Sequence, residues 1–243
     1  MTTPGPGIGS GTDSITIRPA VPADAPALVR VLIDTKRAAH RGQLPDHLLD
    51  TPPLDQQYAA SARNWRRALR ELAAPPDSRE QIVVAVDSAA GERIVGLAMG
   101  GPSRRSEPDL AAYPVEVTVL YVALTHQRRG IGRRLVCAVV RHLAGDGLLP
   151  LIISCLTANA PARRFYEVLG GRLVGETVFE DQGERLSGVI YGWTAPDVLR
   201  HFDGRGEEPR EPAPVRPRVR AHQEPVDRQA ADEAQTELGI PGD

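Results

Sequence analysis

Between Glu116 and Leu135 the chain reads EVTVLYVALTHQRRGIGRRL: an apolar run of strand length, a short polar loop, two glycines one residue apart, then an amphipathic helix. A strand delivered through a short loop to the start of a helix belongs to an α/β arrangement. It also builds an anion site from main chain. The first turn of a helix has N–H groups without intrahelical partners and a partial positive charge, so a phosphate can accept several hydrogen bonds there. Gly130 and Gly132 lack a Cβ and permit close approach. Arg128, Arg129, Arg133 and Arg134 surround the same turn and offer charge-assisted contacts. The pattern predicts a ligand that carries phosphate. The P-loop form GxxxxGK[ST] is absent from the chain, and the dinucleotide form GxGxxG fails at its third glycine, which is Leu135, and lacks an acid about twenty residues on.

With these alternatives weakened, the stretch resembles the GNAT superfamily of CoA-dependent N-acyltransferases. That family carries [QR]-x-x-G-x-[GA] between its fourth strand and third helix, and Gln127, Gly130 and Gly132 match it. Its preceding strand often reads E-L-x-x-L-Y-V, with which Glu116, Val117, Leu120, Tyr121 and Val122 stand in register. A second block, LIISCL followed by TANAPARRFYEVLGG, is similar to the family's fifth strand and fourth helix, N-x-x-A-x-x-F-Y-x-x-L-G-F. Asn159, Ala162, Phe165, Tyr166, Leu169 and Gly170 match it, and Gly171 replaces the usual aromatic residue. Leu124 stands where many members have proline. The resemblance covers roughly residues 14 to 195.

The resemblance implies acetyl-CoA as the cofactor and an N-acetyltransferase acting on a small-molecule or peptide amine. The pyrophosphate would sit on the loop amides of Gln127, Arg128, Arg129, Gly130, Ile131, Gly132 and Arg133. The pantetheine arm would pair with the strand at Leu120, Tyr121 and Val122, near a bulge, and the Val122 N–H would polarise the thioester carbonyl. Glu116 is the implied base, needed because an alkyl ammonium with a pKa near 10 leaves only about one part in a thousand nucleophilic at pH 7. Tyr166 is the implied acid for the departing thiolate. Asn159 caps the following helix and contacts pantetheine or bound water. Each residue also has a plainer role: Glu116 as a strand-edge carboxylate, Tyr166 as a core aromatic. A non-catalytic acyl-CoA-binding module would need neither as acid or base.

The rest of the chain agrees with one domain and polar ends. Segments 15–18, 82–86, 93–99, 115–122, 151–156, 172–179 and 187–193 read as strands. Helices are expected from Ala23-Asp24-Ala25-Pro26, over 54–72 with Tyr58, Trp65 and Leu69 inward, after Gly132, and from Pro161. The order βααβββαβαββ is an α/β domain with a mixed central sheet. The resemblance makes that sheet mostly antiparallel, splayed between strands 4 and 5, and flanked by helices on both faces. The domain is placed at 14–198. Residues 1–13 and the Pro/Arg/Glu-rich tail 204–243 have too little apolar surface to offset ordering entropy and are expected to be disordered.

A formal net charge of −2 on 243 residues gives no reason to expect nucleic acid or an anionic membrane as partner. No run of eighteen apolar residues and no signal-peptide pattern occurs, so a cytoplasmic location is expected. The six histidines lack metal-type spacing and no metal is expected. Cys137 and Cys155 read as small buried hydrophobes. The acceptor cleft would draw on Asp46, His47, Asp50, Glu180, Asp181 and Glu184, either as an acidic wall for a cationic amine or as ordinary solvated loop charge. Pairing of related domains through their C-terminal strands makes a homodimer one expected arrangement.

Overall fold

The computed structural model describes residues 14–50, 54–73, 79–144 and 149–202. Both expected disordered segments lie outside these residues. In chain order the elements are β1 (Ile15–Pro19), α1 (Ala25–His40), α2 (Asp46–Asp50), α3 (Leu54–Ala73), β2 (Gln81–Asp87) and β3 (Arg93–Pro102). Then come β4 (Val115–Val122), α4 (Ile131–Ala144), β5 (Leu151–Leu156), α5 (Ala160–Val168), β6 (Arg172–Asp181), β7 (Glu184–Trp193) and α6 (Ala195–Phe202).

The strands form one seven-stranded sheet in the order β1-β2-β3-β4-β5-β7-β6. Every neighbouring pair is antiparallel except β4 with β5, which the α4 crossover makes parallel. The sheet is buried on both faces in its first half, which is why β2 is a continuous apolar run and not an alternating one. Ile82, Val84 and Val86 meet Leu28, Val29 and Leu32 of α1 and Trp65 and Leu69 of α3. Val83 and Ala85 face the opposite way, toward Ile131, Leu135, Val136, Val139 and Val140 of α4, the stripe its three-and-four spacing predicts. Tyr58 is only partly buried; its hydroxyl donates to Asp34 and its ring lies 5.3 Å beneath the Arg30 guanidinium.

Two departures from the sequence expectation matter. The polar turn between the last two strands narrows to Gln182 and Gly183, with φ of 48° and 85°, because Asp181 and Glu184 still pair. Two consecutive positive φ values match the right-handed twist of the flanking strands, and the hairpin extends to its tip. The second is α6, which sequence reasoning did not assign. Its Val198 and Phe202 are fully buried, and Phe202 meets Trp193 edge-on with ring centroids 5.6 Å apart.

Candidate active site

The site begins with a one-residue irregularity. In the β3–β4 ladder Met99 faces Val119 while Gly100 faces Val117, so Thr118 is an extra residue on β4. Such a bulge bends its strand and resets which side chains share a face. Val115 and Val117 pack toward α4; beyond the bulge Leu120 and Val122 do so, and Val119 and Tyr121 turn toward α1 and α3. Gly100 opposite must be glycine, since a Cβ would lie 2.7 Å from Val139 Cγ1 and 2.9 Å from the Glu116 carbonyl oxygen. The Thr118 hydroxyl oxygen is buried without a hydrogen-bond partner.

At the same level β4 and β5 part. Their parallel pairing covers only Val115 with Leu151, Glu116 with Ile152 and Val117 with Ile153. Beyond it the outer edge of β4 is open. The Ala123 N–H donates to the Val95 carbonyl at 2.9 Å, which marks Ala123–Val95 as a hydrogen-bonded pair. By alternation Val122–Gly96 and Leu120–Ala98 are non-bonded pairs, so the N–H groups of Leu120 and Val122 point away from β3 into the opening. The Val122 carbonyl accepts a 3.0 Å hydrogen bond from Gln127 Nε2, which ties the following loop to the strand end.

A cavity of about 370 Å³ occupies the opening as far along β4 as Tyr121, reaching Lys36 and His40 of α1 on one side and Ala162 and Tyr166 of α5 on the other. Glu116, Leu120, Tyr121, Asn159 and Tyr166 all line it. Val122 and the loop residues Gln127, Arg128, Arg129, Gly130, Ile131, Gly132 and Arg133 lie outside it, at the end of β4.

Glu116 is 9% exposed, and its Oε1 accepts from Arg105 Nε at 3.1 Å. Burial raises its pKa above the ordinary glutamate value, and the Arg105 charge offsets that only in part. Tyr166 is 5% exposed, clasped by Phe165, Tyr191 and Trp193 at centroid distances of 5.5, 5.7 and 6.1 Å. Burial drives its phenol well above 10, and it stays protonated. Asn159 caps α5, its Oδ1 accepting from the Ala162 N–H at 3.2 Å. Cys155 lines the same wall with its thiol pushed up to about 11 by burial, and it is not a thiolate at neutral pH.

The glycine loop departs from its simplest reading in detail. Arg128 and Gly130 both adopt left-handed backbone, φ 64° and 76°, and the Gly130 carbonyl accepts the first bond of α4, from Arg134 N–H. Gly130 faces open space, whereas a Cβ on Gly132 would come within 3.1 Å of Phe165 Cζ, so Gly132 serves helix packing as well. Ile131 is a core residue and offers only its amide. Arg133 Nε donates to the His201 carbonyl of α6 at 2.8 Å, and an Arg134 nitrogen donates to the Ile15 carbonyl at 2.9 Å. Arg128 and Arg129 are exposed and make no side-chain contact among the described residues.

Of the two readings of the loop acids, the ion pairs favour ordinary loop charge. Asp46 and Asp50 pair with Arg41 at 2.7 and 2.8 Å, Glu180 with Arg185 at 3.9 Å, and Asp181 with Lys36 at 3.1 Å. His47 sits 3.7 Å from Glu184. Of the six residues only Asp181 lines the cavity. The cavity's central cation, Arg105, was not foreseen: it comes from the polar loop before β4, where no spacing marks it.

Comparisons with known proteins identify the family and the fold. The family model described as "Acetyltransferase (GNAT) family" matches residues 45–170, more than half of the chain. The Bacillus subtilis protein named "Uncharacterized N-acetyltransferase YuaI" is 26% identical over 184 residues, 76% of this chain and 94% of its own. The Mycobacterium tuberculosis protein named "Probable N-acetyltransferase Rv2775" is 29% identical over 172 residues, 68% of this chain and 83% of its own. Among solved structures, the PaiA N-acetyltransferase of Thermoplasma acidophilum in complex with coenzyme A has the same fold, with a TM-score of 0.54 at 15% identity over 72% of this chain and 98% of that one. The splayed mixed sheet, the glycine loop and the matching family model together make this chain a member of the GNAT acetyltransferase family.

Proposed function

We propose that this protein transfers an acetyl group from acetyl-CoA to a primary amine, on a small molecule or a peptide, by direct attack of the amine on the thioester. The observation that carries the reading is the opening between β4 and β5. It places an unpaired main-chain edge, a buried carboxylate and a buried phenol around one cavity. A pantetheine arm fits that edge because the Leu120 and Val122 N–H groups lack strand partners there. The amides around Gly130 and the charges of Arg128 and Arg129 suit a pyrophosphate at its far end. The complex of the Thermoplasma relative with coenzyme A supports the same choice of ligand.

When bound, acetyl-CoA supplies an activated carbonyl carbon: the nitrogen–carbon bond forms, the carbon–sulfur bond breaks, and the electron pair leaves on sulfur. Glu116, held as a carboxylate, accepts the proton of the amine, and its raised pKa makes it a stronger base than an ordinary glutamate. Tyr166 gives its proton to the departing sulfur and regains one from solvent. The Val122 N–H polarises the carbonyl oxygen. Neither cysteine is needed, since burial keeps the Cys155 thiol protonated and Cys137 lies in the core.

Thermal unfolding with acetyl-CoA, CoA, NAD and ATP in turn tests the ligand. A ligand at about a hundredfold its Kd adds roughly 2.7 kcal/mol, and a shift is expected with the two CoA species alone. Thiol release in the presence of an amine panel then tests the reaction, and Cys137→Ala and Cys155→Ala are expected to keep it. Absence of a shift with either CoA species would remove the ligand assignment. Binding without thiol release from any amine would favour a non-catalytic acyl-CoA module.

A further inference from the structure

The parting strands are joined by one side chain. Arg105, with only 12% of its side chain exposed, donates from Nε to Glu116 Oε1 on β4 at 3.1 Å. It donates from Nη2 to Ser154 Oγ on β5 at 2.8 Å, and from Nη1 to Thr177 Oγ1 on β6 at 3.2 Å. Ser154 directly follows the last residue of β5 that pairs with β4. A planar fork with fixed donor directions suits such a three-way bridge; a lysine ammonium cannot span it.

We propose that Arg105 is a positioning residue for this reaction, pinning the Glu116 carboxylate over the opening and setting, through Ser154 and Thr177, how far β4 and β5 part. The inference rests on Glu116 acting as the base. The other charged groups around Glu116 are already engaged. From the same loop, Glu107 lies 3.5 Å from Arg105, and Arg104 pairs with Glu80 at 2.8 Å. Across the cavity, Lys36 of α1 pairs with Asp181 of β6, and His40, whose pKa burial lowers, is neutral. Cys155 and Tyr166 on the far wall are protonated. Arg105 is therefore the cation hydrogen-bonded to Glu116, with Arg104 acting on it only through its charge.

The test is the pH dependence of kcat with Arg105→Met, Arg105→Lys and Glu116→Gln, alongside the Kd of acetyl-CoA. Arg105→Met is expected to move the acid limb up by about one unit or more, a tenfold loss at a pH below the limb, recovered at high pH. Arg105→Lys is expected to move it less. An acid limb unmoved in both would overturn the proposal. If Arg105→Met does not fold, Arg105→Lys and the double variant Ser154→Ala/Thr177→Val carry the same test, and a fixed limb in both overturns it. Glu116→Gln separates the two claims. Loss of rate there with fixed limbs in the arginine variants sinks the positioning role alone, whereas full rate there sinks the base and this inference with it.

Discussion

Tyr166→Phe removes one oxygen from the cavity wall and separates chemistry from packing. The ring contacts to Phe165, Tyr191 and Trp193 survive. Among the described residues the hydroxyl has no hydrogen-bond partner, so no group is orphaned by its loss. Stability should change by less than about 1 kcal/mol, whereas truncation to alanine would cost about 3–5 kcal/mol as a core cavity. A proton donor in the transition state is worth about 10²–10⁴ in rate, or roughly 3–5 kcal/mol of barrier. A phenol held above 10 is a poor donor to a thiolate with an ordinary pKa near 8.5. Burial acts on both groups, pushing the Cys155 thiol on this wall up to about 11 and the Tyr166 phenol further still, so the acid role has to overcome that mismatch and the Phe variant is its direct test. The assay pairs calorimetric Tm with kcat for thiol release. A Phe variant with wild-type Tm and a rate within threefold of wild type would refute the acid role; an equal loss of Tm and rate would mean the hydroxyl matters to packing.

Glu116→Gln is expected to cost about 10²–10³ in kcat. In the wild type, activity should rise with pH through a limb above the ordinary glutamate range, because burial raises this carboxyl and only its ionised form accepts a proton; kcat against pH checks both. Phe202→Ala empties a fully buried site beside Trp193 and should cost about 3–5 kcal/mol, a loss of about 10 °C in Tm by calorimetry. Deleting Thr118 keeps the β3–β4 pairs and the faces on either side while removing the bulge. It should raise Tm by several °C, since it removes the buried, unpaired Thr118 hydroxyl, and abolish acetyl-CoA binding measured by calorimetry.

The mixed sheet and the elements of the site were legible because their signals are local. Hydrophobic period separates strand from helix, and the glycine loop follows its strand directly. Asn159 two residues before Pro161 marks a cap that the structure contains. The missed helix had a local signal as well: Thr194 Oγ1 donates to Asp197 at 2.7 Å across a first turn containing Pro196. Eight residues were too short for a periodicity argument. What local signals cannot carry is pairing between distant segments. In one dimension Asp46, Asp50, Glu180, Asp181 and Glu184 read equally as a wall or as solvated loop charge; the partner of Asp181, Lys36, lies 145 residues away and is placed by the fold.

The bulge shows why alternation alone misassigns this strand. Read as a plain strand, VEVTVLYV would put Val115, Val117, Val119 and Tyr121 on one face and Glu116, Thr118, Leu120 and Val122 on the other. Thr118 interrupts that sequence, so Val115, Val117, Leu120 and Val122 share the α4 face, and Val119 and Tyr121 turn toward α1 and α3. Leaving the Thr118 hydroxyl buried and unpaired costs about 1–3 kcal/mol. A plain ladder would avoid that cost, but it would let β4 continue beside β5 and satisfy the Leu120 and Val122 amides within the sheet. The local penalty is therefore coupled to the open edge itself: the feature that makes this strand less stable than it could be is the one that leaves its amides available to a ligand.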